Sequence, residues 1–559
     1  MFPASRPLFA CLILSLCVQP ARAERFFVGV MEADSYQNVI FGASAFSRVA
    51  DLPIVLELLN GALTKSMALP SLSGISPNDR VRIIRTVDPA QPLSETNPAD
   101  VAILPLAGSG SDLLAVFSEA YKKQSRHDPY TLFESPSDTN LLPRVSVALS
   151  GRHALTSVSE EALAWAWKNR SQLIEAPSQD NQGTLRFLVN PQRFAELLGA
   201  RSDSKSNSLI RVDKLVNDFE TLSFALSFDG QALSVTANGQ PKAKTPLDLL
   251  AASLRKPGER YWNALPDNAF FAALSAGTLP DAWAPYLGNA RVLLLRPASG
   301  LVPPAAFGDE RVTYLSPTPS KRGMCLVQVE PVSDEPAVRH VIQKLHTLGS
   351  LGGMALSREQ PRRSGDLLVE TYTIDLNPSD KSPRAGSAQA EPSTLFTVMS
   401  LFLKQAVLEA AVTNGHLITV VGPRNTLETQ LSNLSFDAKP LTLLRKISVQ
   451  SPSLGEGVTA GAALKLASLL RHIVSIMPGV KPEHMRVFPL GGDGASFGVS
   501  RDTNQRLTAS LRFETNEIAA LQRINRDGRE VLQELFFQMF TQQMMNLQAP
   551  APAAPYDKP

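Results

Sequence analysis

The chain of 559 residues is poor in cysteine, in aromatic residues, in net charge and in long apolar runs. Its three cysteines cannot staple a disulfide scaffold, so the fold has to rest on a packed core. The 44% apolar fraction is a globular composition and excludes wholesale disorder. Basic residues number 54 against 52 acidic ones. That balance excludes a dedicated nucleic-acid binder, which needs a basic face to displace counterions. No segment after residue 23 reaches the roughly 18 apolar residues of a membrane helix. The nearest approach, Leu395–Val412, carries Lys404 and Glu409 and reads as an amphipathic or largely buried helix. Neither H-E-x-x-H nor C-x-x-C occurs, so the sequence offers no recognisable metal motif.

What is present begins with an export signal. Arg6 supplies a positive n-region, Leu8–Val18 an apolar run too short to span a bilayer, and Ala21-Arg22-Ala23 a small-x-small cleavage site. Residues 1–23 therefore read as a secretory signal peptide of bacterial style, and the mature protein as periplasmic or extracellular. Cleavage removes Arg6, Arg22, Cys11 and Cys17. The mature chain is then charge-balanced at 52 of each sign and keeps one cysteine, Cys325.

Strand-like and helix-like segments alternate along the rest. Val145–Ser171 reads as strand, Gly turn, strand and capped helix, and Leu408–Ser435 reads the same way. Gly183–Leu198 and Ala462–Met477 are each a strand running into a helix. Phe224–Val235 and Phe497–Leu511 are each a strand hairpin followed by a helix. Three blocks in one order point to a tandem duplication. The expected architecture is α+β: two pseudo-repeated halves, each an antiparallel sheet with helices packed on one face. The halves are residues 24–260 and 261–547, with a flexible loop at 377–393 inside the second and a disordered tail at 548–559. Asp229-Gly230, Asn238-Gly239 and Asn414-Gly415 are the expected hairpin turns.

The chemical motifs are weak. Gly494-Ala495-Ser496-Phe497-Gly498 fits the serine-hydrolase G-x-S-x-G, but that motif needs a strand turning sharply into a helix. Here the following residues read as a hairpin around Asp502, and no histidine follows Ser496. Ser202-Asp203-Ser204-Lys205 fits S-x-x-K in a polar loop, and Lys244-Thr245-Pro246 spoils the K-T-G that should accompany it. His340 and His346 are six apart, which puts them on different helix faces, and prolines separate His472 from His484. Cys325 reads as a buried small hydrophobe. Gly108-Ser109-Gly110-Ser111 reads as an ordinary strand-to-helix turn. Of Trp165 and Trp167, two apart on one helix, one is expected buried and the other partly exposed. Arg358, Arg362 and Arg363 read as a solvated basic loop. No residue is thus assigned a catalytic, cofactor-binding or metal-binding role, and no cofactor is implied.

Ser150–Leu163 and Asn414–Leu427, with the order of blocks, resemble a group of uncharacterised exported bacterial proteins of unknown function. That resemblance implies no activity and carries over no functional residue. The reading is an exported, non-enzymatic binding or envelope-structural protein, its partner an unknown protein or apolar small molecule. The alternatives are a periplasmic carrier of a lipid or other apolar ligand, and a serine hydrolase acting through Ser496.

Overall fold

The structure, a computed structural model, describes residues 26–52, 61–87, 99–134, 144–176, 183–201, 211–255, 268–276, 306–318, 323–348, 350–375, 407–433, 458–535 and 537–538, and Tyr286, apart from 62, 65–66, 122, 229, 309, 352–353, 478 and 493. The segment 1–23, the loop 377–393, the tail 548–559, Ser202–Lys205 and most of Leu395–Val412 lie outside them. Contacts divide the chain into two compact units. One comprises the described residues within Met1–Ile40, Glu57–Asn181 and Leu185–Ser206, the other those within Phe41–Leu56, Gln182–Thr184 and Asn207–Pro559.

The first unit holds β1 (Phe26–Ala33), β2 (Val81–Val87), β3 (Ala99–Pro105), β4 (Lys123–His127), β5 (Tyr130–Glu134), β6 (Val145–Ser150), β7 (His153–Ser157) and β8 (Leu185–Val189). They pair antiparallel in the order β8-β1-β2-β3-β7-β6-β5-β4. Its helices are α1 (Tyr36–Ala50, whose second part belongs to the other unit), α2 (Gly110–Ala120), α3 (Glu160–Lys168), α4 (Arg170–Glu175) and α5 (Pro191–Arg201).

The second unit holds β9 (Phe219–Phe228), β10 (Ala232–Pro241), β11 (Phe271–Ala276), β12 (Glu310–Pro317), β13 (Met324–Pro331), β14 (Ser350–Leu351), β15 (Met354–Arg358), β16 (Arg362–Ser364), β17 (Leu367–Asp375), β18 (Val407–Thr413), β19 (His416–Gly422), β20 (Val458–Leu464), β21 (Ala495–Arg501) and β22 (Leu507–Glu514). Its helices are α6 (Val212–Asn217), α7 (Pro246–Ser253), α8 (Glu335–Gln343), α9 (Thr426–Asn433), α10 (Leu466–Ile476) and α11 (Thr515–Asp527). The strand order is β9-β10-β22-β21-β20-β11-β12-β13-β19-β18-β17-β15, antiparallel throughout. β14 pairs outside β15, and β16 pairs with β17. From β20 onward, leaving aside the short β14 and β16, this order matches β8-β1-β2-β3-β7-β6-β5-β4 strand for strand in chain order.

Local chemistry explains the elements. The β6–β7 hairpin turns at Gly151, whose φ of +59° suits a residue without Cβ. Ser159 then caps α3 by accepting from the Ala162 amide at 3.2 Å. Asn414 and Gly415, at φ +49° and +71°, make the two-residue turn of β18–β19. Asn238-Gly239 is not a turn. It lies inside β10, where a Cβ on Gly239 would sit 2.4 Å from the Phe219 ring. The glycine is there for close packing. Residues from Val407 onward, expected to end a helix, form β18.

Helices cover both sheet faces, not one. In the second unit Val338, Val341 and Ile342 of α8 pack with Leu408, Ala410 and Val412. Leu427 of α9 packs with Ala411, Ile418 and Val420. Successive strand residues point to opposite faces, so α8 and α9 flank β18 on either side. In the first unit α3 packs on Ala148 and Leu155, while Phe117 of α2 stacks on Phe133 at 5.1 Å. Phe133 pairs with Val145, which faces away from Ala148. The reason is visible in β18, whose first six residues are all buried. A strand apolar on both faces has to be covered twice.

Candidate functional site

Polar side chains gather in two clusters, each around a buried carboxylate, rather than around any sequence motif. In the first unit Glu32 on β1 stands in register with Arg82 on β2 and Arg186 on β8. Glu32 is 1% exposed. Its Oε2 accepts from Arg82 Nε at 2.7 Å and its Oε1 from Arg186 at 2.9 Å. Asp34 also pairs with Arg186. Arg82 reaches on to donate to the Leu173 carbonyl at 2.7 Å and to that of Ala176. Arg80 joins it on Ala176 at 3.1 Å. The two arginines thus cap the C-terminal end of α4, where free carbonyls carry partial negative charge. Burial pulls the Arg82 guanidinium below its ordinary value, and Glu32 opposes that.

In the second unit Glu409 on β18 is equally buried. It accepts from the Asn425 and Leu427 amides, both at 2.8 Å, at the start of α9. Arg362 bridges Glu409 at 2.8 Å and Glu428 of α9 at 2.9 Å. Beside it Arg358 makes a forked pair with Glu370. Arg424 grips Glu359. The Thr373 hydroxyl and Arg424 hold the Glu359 carboxyl below the usual carboxylate range. Arg358 and Arg362 are therefore strand residues held in ion pairs and not part of a loop, while Arg363, on β16 beside them, is exposed. The acidic partners that lock them lie 12 to 66 positions away in the chain.

The sequence motifs are dispersed. Ser496 lies inside β21, buried, opposite Ala463 and Arg512. No strand-to-helix elbow forms there. Asp502 closes the β21–β22 turn by accepting from the Asn504 and Arg506 amides. His484 meets the Lys481 amide in a short 3-10 turn, and His472 stacks on Phe270 and reaches the Gly323 carbonyl. His340 and His346 are exposed. Lys244-Thr245-Pro246 begins α7: Thr245 caps it and Asp248 accepts from the Lys244 amide at 2.8 Å. At the start of α2 the Asp112 carboxylate accepts from the Ser109 amide. Cys325 is buried on β13, 3.4 Å from the Ser316 hydroxyl and in reach of Gln430, and burial pushes its thiol up. A protonated, enclosed thiol is a poor nucleophile. Trp165 and Trp167 are both half-buried, since the Arg170 guanidinium lies 4.5 Å over the Trp167 ring.

Among the described residues no group of His, Cys, Asp or Glu is arranged to hold a metal ion, and no helix is long and apolar enough to cross a membrane. Under α1 the first unit encloses an apolar cavity of about 10 Å³ lined by Met31, Tyr36, Val39, Met67 and Ile83 among others. That is the room of one water molecule.

Fold and clusters together define an α+β protein built on large antiparallel sheets with helices on both faces, its buried carboxylates tying neighbouring strands to one another and, at Glu409, a strand to a helix start. No protein-family model matches the chain, and no curated protein or solved structure matches it.

Proposed function

We propose that this is an exported, non-enzymatic protein that binds a partner or supports envelope architecture. In this reading residues 1–23 are a cleaved signal, and residues 24–260 and 261–547 are two copies of one α+β unit. The copies share a strand order, and their hairpins β9–β10 and β21–β22 lie side by side through β10–β22. The observation that carries the functional reading is the employment of the buried ionic groups. Glu32, Arg82, Arg186 and Glu409 are fixed between strands and helix termini, the arrangement of a rigid frame and not of groups poised for proton transfer. A frame of that kind acts through its outer surfaces. Phe497, 40% exposed on β21, lies in register with Ala462 and Leu511. Leu511 in turn faces Val235. These form an apolar row across four strands.

Two measurements test the reading. Purified protein lacking residues 1–23 is screened against ester, amide, glycoside and phosphoester substrates. Turnover that disappears in Ser496→Ala contradicts it. A photo-crosslinking residue at Phe497, introduced in cells that make the full chain, should give one discrete adduct that the same residue at the exposed Asp502 does not give. Equal labelling from both positions contradicts it as well.

A further inference from the structure

Three segments leave one end of the second unit's sheet together. β20 ends at Leu464, β21 starts at Ala495 and β22 reaches Phe513, and these three residues stand in register. Beyond them lie α10, residues 490–492 and α11. Glu517, in the first turn of α11, joins all three. It is 3% exposed. Its Oε1 accepts from the Ala467 amide at the start of α10 at 2.7 Å. Its Oε2 is buried without a hydrogen-bond partner. A Cβ on Gly491 would lie 2.0 Å from that oxygen and 2.9 Å from the Ala467 Cβ, so the chain passes there because residue 491 has no side chain. Behind the junction an apolar layer of Ala467, Val474, Met477, Phe488, Ala520 and Ile524 packs α10 against α11.

We propose that Glu517 is a proton-sensitive latch fastening the α10–α11 layer to this end of the sheet, closed when its carboxyl is protonated and loosened when it ionises. The charged groups nearby are Lys465, at the start of α10, and the Arg512–Glu514 pair on β22, which satisfy each other at 3.1 Å. Gly491 and Gly492 bring no charge. Burial is the largest influence on the carboxyl and raises it above the ordinary carboxylate value, against the amides and Lys465. A carboxyl raised in the folded state adds stability that is complete below its unfolded value. That stability is lost as pH climbs through the folded value. The Leu466 and Gly492 amides also favour the charged form, yet an ionised carboxylate whose Oε2 is buried without a hydrogen-bond partner is costly, whereas the neutral acid keeps the Ala467 contact at less cost.

Amide hydrogen exchange on the full chain, corrected for intrinsic rates, tests this at about pH 5 and about pH 8. Protection of the segments around Ala467 and Gly491 should fall by roughly tenfold or more between the two, relative to α9. Glu517→Gln keeps the shape without the charge and should stay protected at both. Gly491→Ala, which drives the carboxyl out, should exchange fast at both. Flat protection in the wild type overturns the latch, as does an unchanged slope in Glu517→Gln. If Glu517→Gln does not fold, the wild-type slope and Gly491→Ala decide: pH-dependent protection surviving in Gly491→Ala overturns it.

Discussion

Thr236 on β10 and Ser510 on β22 stand directly opposite each other across an antiparallel pair whose register holds from Ala232–Glu514 to Gly239–Leu507. Each strand is the second arm of a hairpin, β10 after β9 and β22 after β21.

The core of the first unit predicts its own weak point. Leu155 is fully buried among Ile84, Val101, Ala162 and Leu163. Leu155→Ala should lower the unfolding free energy by about 2–5 kcal/mol, read by denaturant unfolding, because the flanking strand and helix cannot collapse onto the space left. A loss below that range would mean that α3 does not pack there.

Glu409 ties Arg362, Glu428 and the start of α9 to β18. Glu409→Ala should destabilise by about 1–3 kcal/mol, since it leaves the Asn425 and Leu427 amides without their acceptor while Arg362 keeps Glu428. Combined with Arg362→Met, it should cost less than the two single losses added together. Additive losses in a double-mutant cycle would contradict the pairing.

The Cys325 thiol, enclosed and raised by burial, should resist alkylation in the native state and react fully once the chain is unfolded. Thiol counting by mass after timed labelling checks this. Fast native labelling would place Cys325 at the surface.

His153 is held below the ordinary imidazole value, first by burial and then by the charge of Arg80. Its neutral form is therefore favoured by folding. The associated stability is present above the unfolded value and is lost as pH falls through the interval down to the folded one. The stability difference between wild type and His153→Gln should shrink as pH is lowered from about 7 to about 5. A difference independent of pH would refute the assignment.

Much of the frame was legible from residue order. Ser150-Gly151 and Asn414-Gly415 mark hairpins because φ above zero admits few residue types, and Ser159 marks a helix start because it satisfies a free amide. Asn238-Gly239 misled for the same reason: glycine signals a turn and a close contact alike, and here Phe219 lies against it. The second helical layer was hidden in β18, where Glu409 looks like a break in an apolar face until its two amides and Arg362 are in view. Glu32, Arg82 and Arg186 belong to no motif. Their convergence depends on β1 lying between β2 and β8, which no local pattern states.

The proposed duplication rests on the pairing of β10 with β22 in the register that sets Thr236 against Ser510. Paired substitution Thr236→Cys with Ser510→Cys, oxidised under native conditions and mapped by peptide mass, tests it most directly, because a disulfide forms only between closely opposed Cβ atoms. The account predicts an intramolecular 236–510 disulfide and none for the displaced pair Thr236→Cys with Ser500→Cys. Failure of the first pair to close, or closure of the displaced pair instead, would contradict it.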